Sequence, residues 1–406
     1  MVTNIEKKNS VSTSVAPTFK REDLGRLSVE LHKKNRGKIS ISTKVELNNF
    51  DDLSIAYSPG VATPCLEIQK DPSKAKLYTS NANTIAVISD GTAVLGLGDI
   101  GAKAALPVME GKAALFKRFA GLDAFPIVLE TKDVDEIVRT VKLISSSFGG
   151  INLEDISAPR CFEIEERLKN ELDIPVMHDD QHGTAVVVLA GIINAMKIMN
   201  KKKEKLKVVI NGSGAAGVAI AKLLYKYGIE NIIMCDTKGV ISRHRHDLNP
   251  SKLELLTFTN PDDVCCMLYD ALKGADVFIG VSAAGALKEE MVKVMAPGPM
   301  IFGLANPIPE MMPEIAKSLG AKIIATGRSD YPNQINNVLV FPGIFKGALE
   351  AGVSKITDDM KIEAAVALAA LVKNPSVDKI VPGAFDAGVC DAVSESVKRI
   401  AKKNKA

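Results

Sequence analysis

The feature that most constrains this chain is a glycine-rich turn between an apolar run and a helical pattern. Three aliphatic residues at 208–210 precede a G-x-G-x-x-G spacing, and residues 218–227 continue with helical periodicity. In such a unit Gly212 permits the tight turn, Gly214 lets the backbone approach a pyrophosphate, and Gly217 lets the helix pack on the strand. The free N–H groups at the helix start hold phosphates. The sequence therefore predicts a dinucleotide site.

The residues after this unit bear on which dinucleotide is bound. Asp236 closes the next apolar run, where an acid usually grips the ribose hydroxyls, and this favours NAD. Four basic residues follow closely: Arg243, His244, Arg245 and Lys252. They would meet the 2′-phosphate of NADP, or they form an exposed basic loop. Both cofactors stay open.

A second G-x-G-x-x-G, at residues 96–101, also follows an apolar run. Asp99 lies inside this loop, Pro107 falls early in the next segment, and no acid ends a second strand at the required distance. We therefore interpret the loop as a turn in a catalytic domain rather than as a second dinucleotide site.

Length and composition limit the class of protein. A chain of 406 residues exceeds one ordinary core and predicts two domains. A net charge of +3 argues against a nucleic-acid surface. Six cysteines without a C-x-x-C pair are typical of reduced cytoplasmic thiols. The longest apolar stretch falls short of the about 20 residues of a membrane span. We expect a cytoplasmic protein that binds small molecules, not nucleic acid or a membrane.

Apolar runs alternate with helical patterns, which is typical of α/β proteins with mostly parallel sheets. We expect strands at 84–89, 125–129, 151–153, 175–177, 208–210, 231–235, 276–280, 300–302 and 322–325. The predicted fold class is α/β, with an N-terminal α/β catalytic domain and a Rossmann-type, doubly wound parallel sheet domain. The predicted division is a tail at 1–20, a catalytic domain at 21–185, a cofactor domain at 186–345 and a C-terminal helical segment at 346–406.

Two acidic pairs follow neighbouring strands of the first predicted sheet. Glu154 and Asp155 come directly after the strand at 151–153, and Asp179 and Asp180 closely follow the next strand. Acids at the carboxyl ends of parallel strands stand where α/β folds place ligands, and their hard oxygens suit Mg²⁺ or Mn²⁺. Adjacent residues in a strand face opposite ways, so both members of a pair serve only if the chain turns there. The alternative is solvated loop charge.

Lys112 and Tyr57 are candidates for proton transfer. The pattern at 112–119 predicts a helix that Lys112 opens, and a helix N-terminus disfavours a cation. Its pKa would then fall towards the working range of a base. The alternative is an ordinary surface lysine. Tyr57 lies at a turn before a Pro-Gly pair, where a phenol is a weak candidate for a proton donor.

Two histidines near the second acidic pair suggest a metal motif of a different kind. His178 and His182 have the i, i+4 spacing of a zinc helix, but the H-E-x-x-H glutamate is missing and Pro175 precedes the segment. We do not predict a zinc site.

At these residues the chain resembles a malic enzyme of the short type found in bacteria and some protists. The resemblance covers residues 45–345. It rests on A-Y-S-P-G-V-A at 56–62, L-G-L-G-D at 95–99, M-E-G-K at 109–112, N-L-E-D-I at 152–156, H-D-D-Q-H-G-T-A at 178–185 and N-N at 336–337. It implies oxidative decarboxylation of malate to pyruvate and CO₂ with NAD or NADP and Mg²⁺ or Mn²⁺. It also implies a homodimer.

The resemblance assigns roles to particular residues. Tyr57 would match the family's general acid and Lys112 its base, with Asp179 holding the lysine. The metal ligands would be Glu154, Asp155 and Asp180. Ser213, Gly214, Ala215 and Ala216 would line the cofactor phosphates, Asn306 would face the nicotinamide, and Asn337 would hold the malate carboxylate.

Three positions depart from the family's pattern. Ala93 stands where longer members carry an arginine that grips the substrate, Arg160 stands where short members commonly show an acid, and Ala284 replaces a frequent proline. The alternatives to malate oxidation are a malolactic-type reaction, oxaloacetate decarboxylation, or a non-catalytic dinucleotide-binding regulator. The regulator predicts the loss of Lys112 or of a metal ligand, and all of them are present.

Overall fold

A computed structural model describes residues 21–94 and 96–405 of the chain. The predicted tail at 1–20 and Leu95 of the second glycine loop lie outside the described residues. The described part opens with four helices, α1 (Arg21–Asn35), α2 (Phe50–Ala56), α3 (Ala62–Lys70) and α4 (Ala75–Tyr78). No residue of α2, α3 or α4 is buried. We call residues 21–78 the N-terminal arm.

The first sheet has four parallel strands in the order β2-β1-β3-β4. They are β1 (Thr84–Ser89), β2 (Asp123–Val128), β3 (Gly150–Leu153) and β4 (Val176–His178). The helices between them are α5 (Ala102–Ala120), α6 (Val134–Ile144) and α7 (Arg160–Glu171). The central strands β1 and β3 are buried along their whole length, as expected for a sheet with helices on both faces. All four strands were predicted, within two residues at each end.

The long helix α8 (Asp179–Met199) connects the two sheets. By length and composition it is apolar enough to cross a membrane, but 72% of its most apolar stretch is buried inside the protein. Aliphatic residues all around a helix are also what a central core position requires. The helix runs without a break through residues 185 and 186, where the domain boundary was predicted, and that boundary stays a prediction.

The second sheet has six strands in the order β10-β9-β8-β5-β6-β7. The strands are β5 (Val208–Asn211), β6 (Ile232–Asp236), β7 (Gly239–Val240), β8 (Val277–Gly280), β9 (Met300–Gly303) and β10 (Ile323–Thr326). Five are parallel, as predicted, and the short antiparallel β7 was missed. The strand order reverses beside β5, which is where doubly wound sheets bind dinucleotides. The connecting helices are α9 (Ala215–Tyr227), α10 (Pro250–Leu255), α11 (Leu268–Ala271), α12 (Glu289–Lys293) and α13 (Pro313–Ser318).

Three C-terminal helices join the two sheets. They are α14 (Phe341–Ala351), α15 (Asp358–Ala370) and α16 (Val389–Lys405). Buried residues of β1, β5, α8 and all three helices belong to one continuous apolar cluster. Asn194 of α8 donates to the carbonyls of Ala369 and Ile380, which ties the C-terminal segment to the central helix. The site described below therefore rests on a shared core.

One helix prediction was wrong in a way that matters for the site. α5 begins at Ala102, so Lys112 lies in its interior and does not open it. Pro107, which the sequence places early in the segment after the second glycine loop, lies inside the helix. Gly101, at φ 80°, makes the turn that starts the helix, and the alanines around Pro107 favour helix enough to accommodate it.

Candidate active site

The carboxyl ends of β3 and β4 bring three acids together. Leu153 and His178 pair at the ends of the two strands, so the residues that follow them are neighbours. Glu154, Asp155 and Asp180 each place a carboxylate oxygen within 4.8 Å of the others. Asp155 has a left-handed backbone, φ 52°, which is the turn that allows two consecutive acids to serve one cluster. The Asp155 N–H also donates to Asp180 Oδ2, at 2.8 Å.

Lys112 projects from the middle of α5 into this cluster. Its Nζ lies 2.6 Å from Asp179 Oδ2 and 2.8 Å from Glu154 Oε1. The ammonium also stands 4.3 Å from the ring centre of Phe341, a favourable cation–π position. The side chain is only 7% exposed. The structure thus makes the predicted contact between Asp179 and Lys112 and excludes the surface alternative.

Burial and charge act in opposite directions on these groups. Burial tends to lower the pKa of Lys112, but the carboxylates of Asp179, Glu154 and Asp180 outweigh it and raise that pKa above its ordinary value. Burial raises the pKa of Glu154 well above its usual range and raises that of Asp179, although Lys112 opposes both. The predicted lowering of the Lys112 pKa by a helix N-terminus was therefore wrong, because its carboxylate neighbours dominate.

The donor set fits a hard divalent cation. Three buried or half-buried carboxylates converge within 4.8 Å, and a fourth, from Asp179, engages Lys112. Like charges this close repel strongly in a buried site unless a cation is shared among them. Oxygen-only donors are the ligands that Mg²⁺ and Mn²⁺ prefer.

Asn337 lies beside this cluster. It begins a short 3₁₀ turn, Asn337–Leu339, just before α14. A Cβ added to Gly183 would stand 2.0 Å from Asp179 Oδ1 and 2.9 Å from Asn337 Cβ. Only a glycine therefore lets α8 pass so close to both side chains. Asn337, the predicted substrate residue, therefore lies close to Asp179, the acid that contacts Lys112.

The glycine turn between β5 and α9 has the three predicted properties. Gly212 has a φ of 125°, which favours glycine. A Cβ on Gly217 would stand 1.9 Å from the carbonyl oxygen of Gly212, so only glycine allows this packing of helix on strand. Gly214 has no atom within 4 Å of the corresponding position, which leaves its surface open. Ser213 lies in this turn, and α9 begins with Ala215 and Ala216. The backbone N–H groups in the first turn of a helix have no partner within the helix.

Asp236 ends β6 as predicted, but its carboxylate is already paired. Arg245 donates to both oxygens, at 2.7 and 3.0 Å, and Lys252 Nζ lies 2.6 Å away. Burial opposes ionisation, yet Arg245 and Lys252 hold the pKa of Asp236 below its usual value. Arg243 and His244 are exposed and lie near Asp263 instead. Of the four basic residues, only Arg245 and Lys252 therefore contact Asp236.

Asn306 lies where the two halves of the molecule meet. A Cβ on Gly96, in the second glycine loop, would stand 2.3 Å from the carbonyl oxygen of Asn306. A Cβ on Gly327 would stand 2.9 Å from the Asn306 Nδ2 atom. The second glycine loop is a tight turn, with an antiparallel bridge between Val94 and Gly98. It packs one half of the protein against the predicted nicotinamide side of the other.

Tyr57 is the predicted site residue that stands apart. It follows α2 in the N-terminal arm and its side chain is 69% exposed. The hydrogen bonds and ion pairs described for α2 and α3 all join residues within 48–74. Within the described part of the chain, nothing brings the phenol to the lysine and its carboxylates.

His182, one of the two histidines with zinc-helix spacing, is held by an acid and a lysine. Within the described residues, the one cluster of potential metal ligands consists of Glu154, Asp155 and Asp180. His182 Nε2 lies 2.9 Å from Glu165 Oε2, and Lys361 Nζ lies 3.1 Å from its Nδ1. Burial lowers the pKa of His182 to about 4, so the ring is neutral. A lysine donating to Nδ1 leaves the proton on Nε2.

Arg160 braces the loop that carries the acids. It donates to Asp90 Oδ2 at 2.8 Å and to Thr92 Oγ1 at 2.9 Å. Thr92 in turn accepts the N–H of Ser157, and the N–H of Ala93 donates to the carbonyl of Asp155. The guanidinium of Arg160 is therefore engaged in an ion pair with Asp90. Ala93 contributes only a backbone hydrogen bond to the loop that carries the acids. Nothing in the structure explains Ala284.

Sequence reasoning missed Glu310. This carboxylate is completely buried between the ends of β8 and β9. The only signal was an acid after an Asn-Pro-x-Pro loop, which by itself indicates surface charge.

Comparison with known proteins decides the family. A sequence model of the malic enzyme N-terminal domain matches residues 34–169, and one of the malic enzyme NAD-binding domain matches residues 181–401. The chain belongs to the malic enzyme family. It is an oxidoreductase of the kind that binds NAD or NADP. The first matched span contains three strands of the first sheet together with Lys112, Glu154 and Asp155, and the second contains the six-stranded sheet with its glycine turn. Strand β4, Asp179 and Asp180 lie between the two matched spans.

Some relatives in the family are similar over most of their length. The bifunctional malic/malolactic enzyme of Bacillus subtilis is 56% identical over 92% of this chain and 92% of its own. The NAD-dependent malic enzyme of Geobacillus stearothermophilus is 57% identical over 89% of this chain and 76% of its own. The crystal structure of the NAD-dependent malic enzyme from Thermotoga maritima superposes with a TM-score of 0.89, at 51% identity over 91% of this chain and 98% of its own.

Proposed function

We propose that this malic enzyme family member oxidatively decarboxylates (S)-malate to pyruvate and CO₂ while reducing NAD⁺ or NADP⁺. The observation that carries the proposal is the single lysine held 2.6 and 2.8 Å from two of four clustered carboxylates. Initial rates with malate, Mn²⁺ and either cofactor test it. Stoichiometric pyruvate and reduced cofactor support the proposal, and no reduction of either cofactor contradicts it.

Glu154, Asp155 and Asp180 would hold Mg²⁺ or Mn²⁺, because their hard oxygens already converge. A bound divalent cation supplies Lewis-acid polarisation of the substrate oxygen and stabilises enolate charge. Asn152 orients Glu154, since its Nδ2 donates to Glu154 Oε2 at 2.8 Å. The strained turn at Asp155 and the helix start at Asp180 fix the other two ligands.

As the neutral amine, Lys112 would take the proton of the malate C2 hydroxyl. Asp179 orients its amino group through the 2.6 Å contact. Asp179, Glu154 and Asp180 raise the pKa of Lys112, and a divalent cation that shared the charges of Glu154 and Asp180 would oppose that rise and favour the amine. The phenyl ring of Phe341 and the buried setting keep bulk water away from the base. Asn337, next to Asp179, would hold a malate carboxylate, and Tyr57 would return a proton to C3.

The cofactor is proposed to lie along the carboxyl edge of the six-stranded sheet. The turn from Gly212 through Ser213 to Ala216 holds the pyrophosphate, Asp236 lies at the adenosine ribose, and Asn306 lies at the nicotinamide. Arg245 and Lys252 neutralise Asp236, so a 2′-phosphate meets cations as well as an acid. We therefore propose that the ribose site accepts NADP as well as NAD.

We also propose that the chain works as a homodimer, through the N-terminal arm. Large apolar side chains stand exposed along the arm: Val29, Ile41, Phe50, Ile55, Leu66 and Leu77. So many exposed large apolar side chains in one segment favour an interface. The proposed occupant is a second copy, because Tyr57 lies in the same exposed stretch, and among the described residues no tyrosine contacts the lysine–carboxylate cluster. Phe50→Asp should shift sedimentation towards the monomer, whereas an unchanged sedimentation coefficient would contradict an arm-mediated dimer.

A malolactic reaction is the second candidate, because the Bacillus subtilis relative carries malolactic in its name. It would give lactate and no net cofactor reduction. Measuring pyruvate, lactate and reduced cofactor in one malate assay separates the two reactions. We propose that the protein acts in the cytoplasm and that its substrate is a small molecule.

A further inference from the structure

Glu310 is a buried carboxylate that the mechanism above does not use. It is 0% exposed. Oε1 accepts the N–H of Ser282 at 2.9 Å, and Oε2 accepts the N–H of Ala305 at 3.0 Å. Those two residues follow β8 and β9, which are adjacent strands. One side chain therefore ties together the loops at the ends of two strands.

The protein makes room for this carboxylate at a cost. A Cβ on Gly280 would stand 2.3 Å from Glu310 Cδ, so the last residue of β8 must be glycine. The ion pairs of the described residues include none with Glu310, so neutral donors stabilise its charge: two backbone N–H groups and, at 3.4 Å, the Ser282 hydroxyl. Burial raises the pKa of Glu310, and the N–H groups of Ser282 and Ala305 oppose that rise. A buried acid of this kind is retained only where its geometry is needed.

The loops that Glu310 holds lie on one side of the cofactor turn. Asn211, the last residue of β5, donates to Ser282 Oγ at 2.9 Å, and a Cβ on Gly212 would stand 2.5 Å from the Val281 carbonyl oxygen. Ala305 directly precedes Asn306. Asp236 and its cations lie on the opposite side of β5, at the end of β6. A dinucleotide that places its adenosine at β6 extends its other half over β8 and β9.

We propose that Glu310 is a positioning residue for the nicotinamide half of the cofactor. It fixes the backbone after β8 and β9 so that the ring lies at a constant place between Asn306 and the lysine–carboxylate cluster. The proposal rests on the proposed function for the identity of that half. Glu310 touches neither the substrate nor the reacting atoms, and acts through the loops of Ser282 and Ala305.

The test compares a whole cofactor with one that lacks nicotinamide. Glu310→Gln is nearly isosteric but turns an NH₂ donor towards a backbone N–H. Titration calorimetry would measure the binding affinity for NADH and for ADP-ribose, which lacks the nicotinamide. If the wild type binds only the phosphorylated cofactor, NADPH and 2′-phospho-ADP-ribose would replace them. We expect affinity for the reduced cofactor to fall about tenfold, the usual effect of one buried unsatisfied donor. The affinity for the fragment that lacks nicotinamide should stay within about twofold of the wild-type value.

Two variants act as controls. Glu290→Gln makes the same chemical change at an exposed position of the cofactor domain, and both affinities should remain those of the wild type. Glu310→Asp keeps the charge but shortens the reach, and it should show the same selective loss to a smaller degree. It supplies the answer if the glutamine variant does not fold.

Equal losses for the whole cofactor and the fragment, or no loss of either, would overturn the proposal. A wild type that binds neither nucleotide would instead contradict the proposed function. The two failures are therefore distinguishable.

Discussion

Lys112 and Tyr57, the proposed base and acid of one reaction, lie in opposite surroundings. Lys112 is 7% exposed and is held by two carboxylates and an aromatic ring. Tyr57 is 69% exposed at the end of a helix that buries nothing. Acid and base must approach the same substrate to serve one turnover. In the proposed homodimer, the lysine of each site would come from one copy and the tyrosine from the other.

The largest expected effect comes from the buried member of the pair. Lys112→Ala removes the proposed base and leaves its carboxylates facing each other, so malate oxidation should fall about 10⁴-fold. Steady-state assays of reduced cofactor measure this, and NADH binding should persist. Lys103→Ala, an exposed lysine on the same helix, is the control and should remain active. A loss of only a fewfold at Lys112 would mean that another group is the base.

Removal of the metal tests the same buried region from its acidic side. Treatment with EDTA should lower malate oxidation about 10³-fold, because Lewis-acid stabilisation is worth several kcal/mol. Added Mn²⁺ should restore it in the wild type. In Asp180→Asn, restoration should require more Mn²⁺, since one of three converging carboxylates is gone. Full activity in EDTA would contradict the assignment of Glu154, Asp155 and Asp180 as ligands.

Tyr57→Phe tests the exposed member of the pair. The hydroxyl is the only group removed, so we expect about a 10²-fold loss of pyruvate formation, the lower range for a positioned proton donor. Product analysis by coupled assay measures it. Tyr78→Phe, another exposed tyrosine of the arm, should behave as the wild type. Unchanged pyruvate formation in Tyr57→Phe would show that Tyr57 is not the acid, and Lys112 and Tyr57 would then not form a catalytic pair.

The smallest effect concerns a third region, at the adenosine end of the cofactor. Arg245→Ala frees one side of the Asp236 carboxylate and removes a cation, so the kcat/KM ratio of NADP⁺ to NAD⁺ should fall about tenfold. Arg243→Ala, on the exposed side of the same loop, should leave the ratio unchanged. An unchanged ratio in the Arg245 variant would show that this ion pair does not select the cofactor.

The sequence predicted the fold and the cofactor turn well because both follow from local rules. Glycine spacing after a buried strand defines Gly212 and Gly217 without any tertiary information. The acids at 154, 155 and 180 were found because parallel strands end at one edge. The start of α5 was missed because the predicted helical pattern covered only residues 112–119, and the charge around Lys112 was therefore misjudged. Burial of distant carboxylates around a lysine depends on packing that no short pattern encodes.

Other features could not be predicted because their sequence signals are ordinary. Glu310 looks like surface charge until Gly280 and two backbone N–H groups surround it. The pairing of Arg245 with Asp236 needs a loop to fold back on a strand end. The exposure of Tyr57 could not be predicted, because it is shared by the whole N-terminal arm. Apolar residues in a helix predict that the helix is buried, but they do not show whether it packs against its own chain or a second copy.

Subunit complementation tests most directly whether the site is shared between two copies. Lys112→Ala and Tyr57→Phe would each be purified, mixed under conditions that exchange subunits, and assayed for malate oxidation. Random exchange makes half of the dimers mixed, with one intact site in two, so about a quarter of wild-type activity should return. A mixture no more active than its two parents, with mixed dimers present, would contradict a tyrosine supplied by the partner copy.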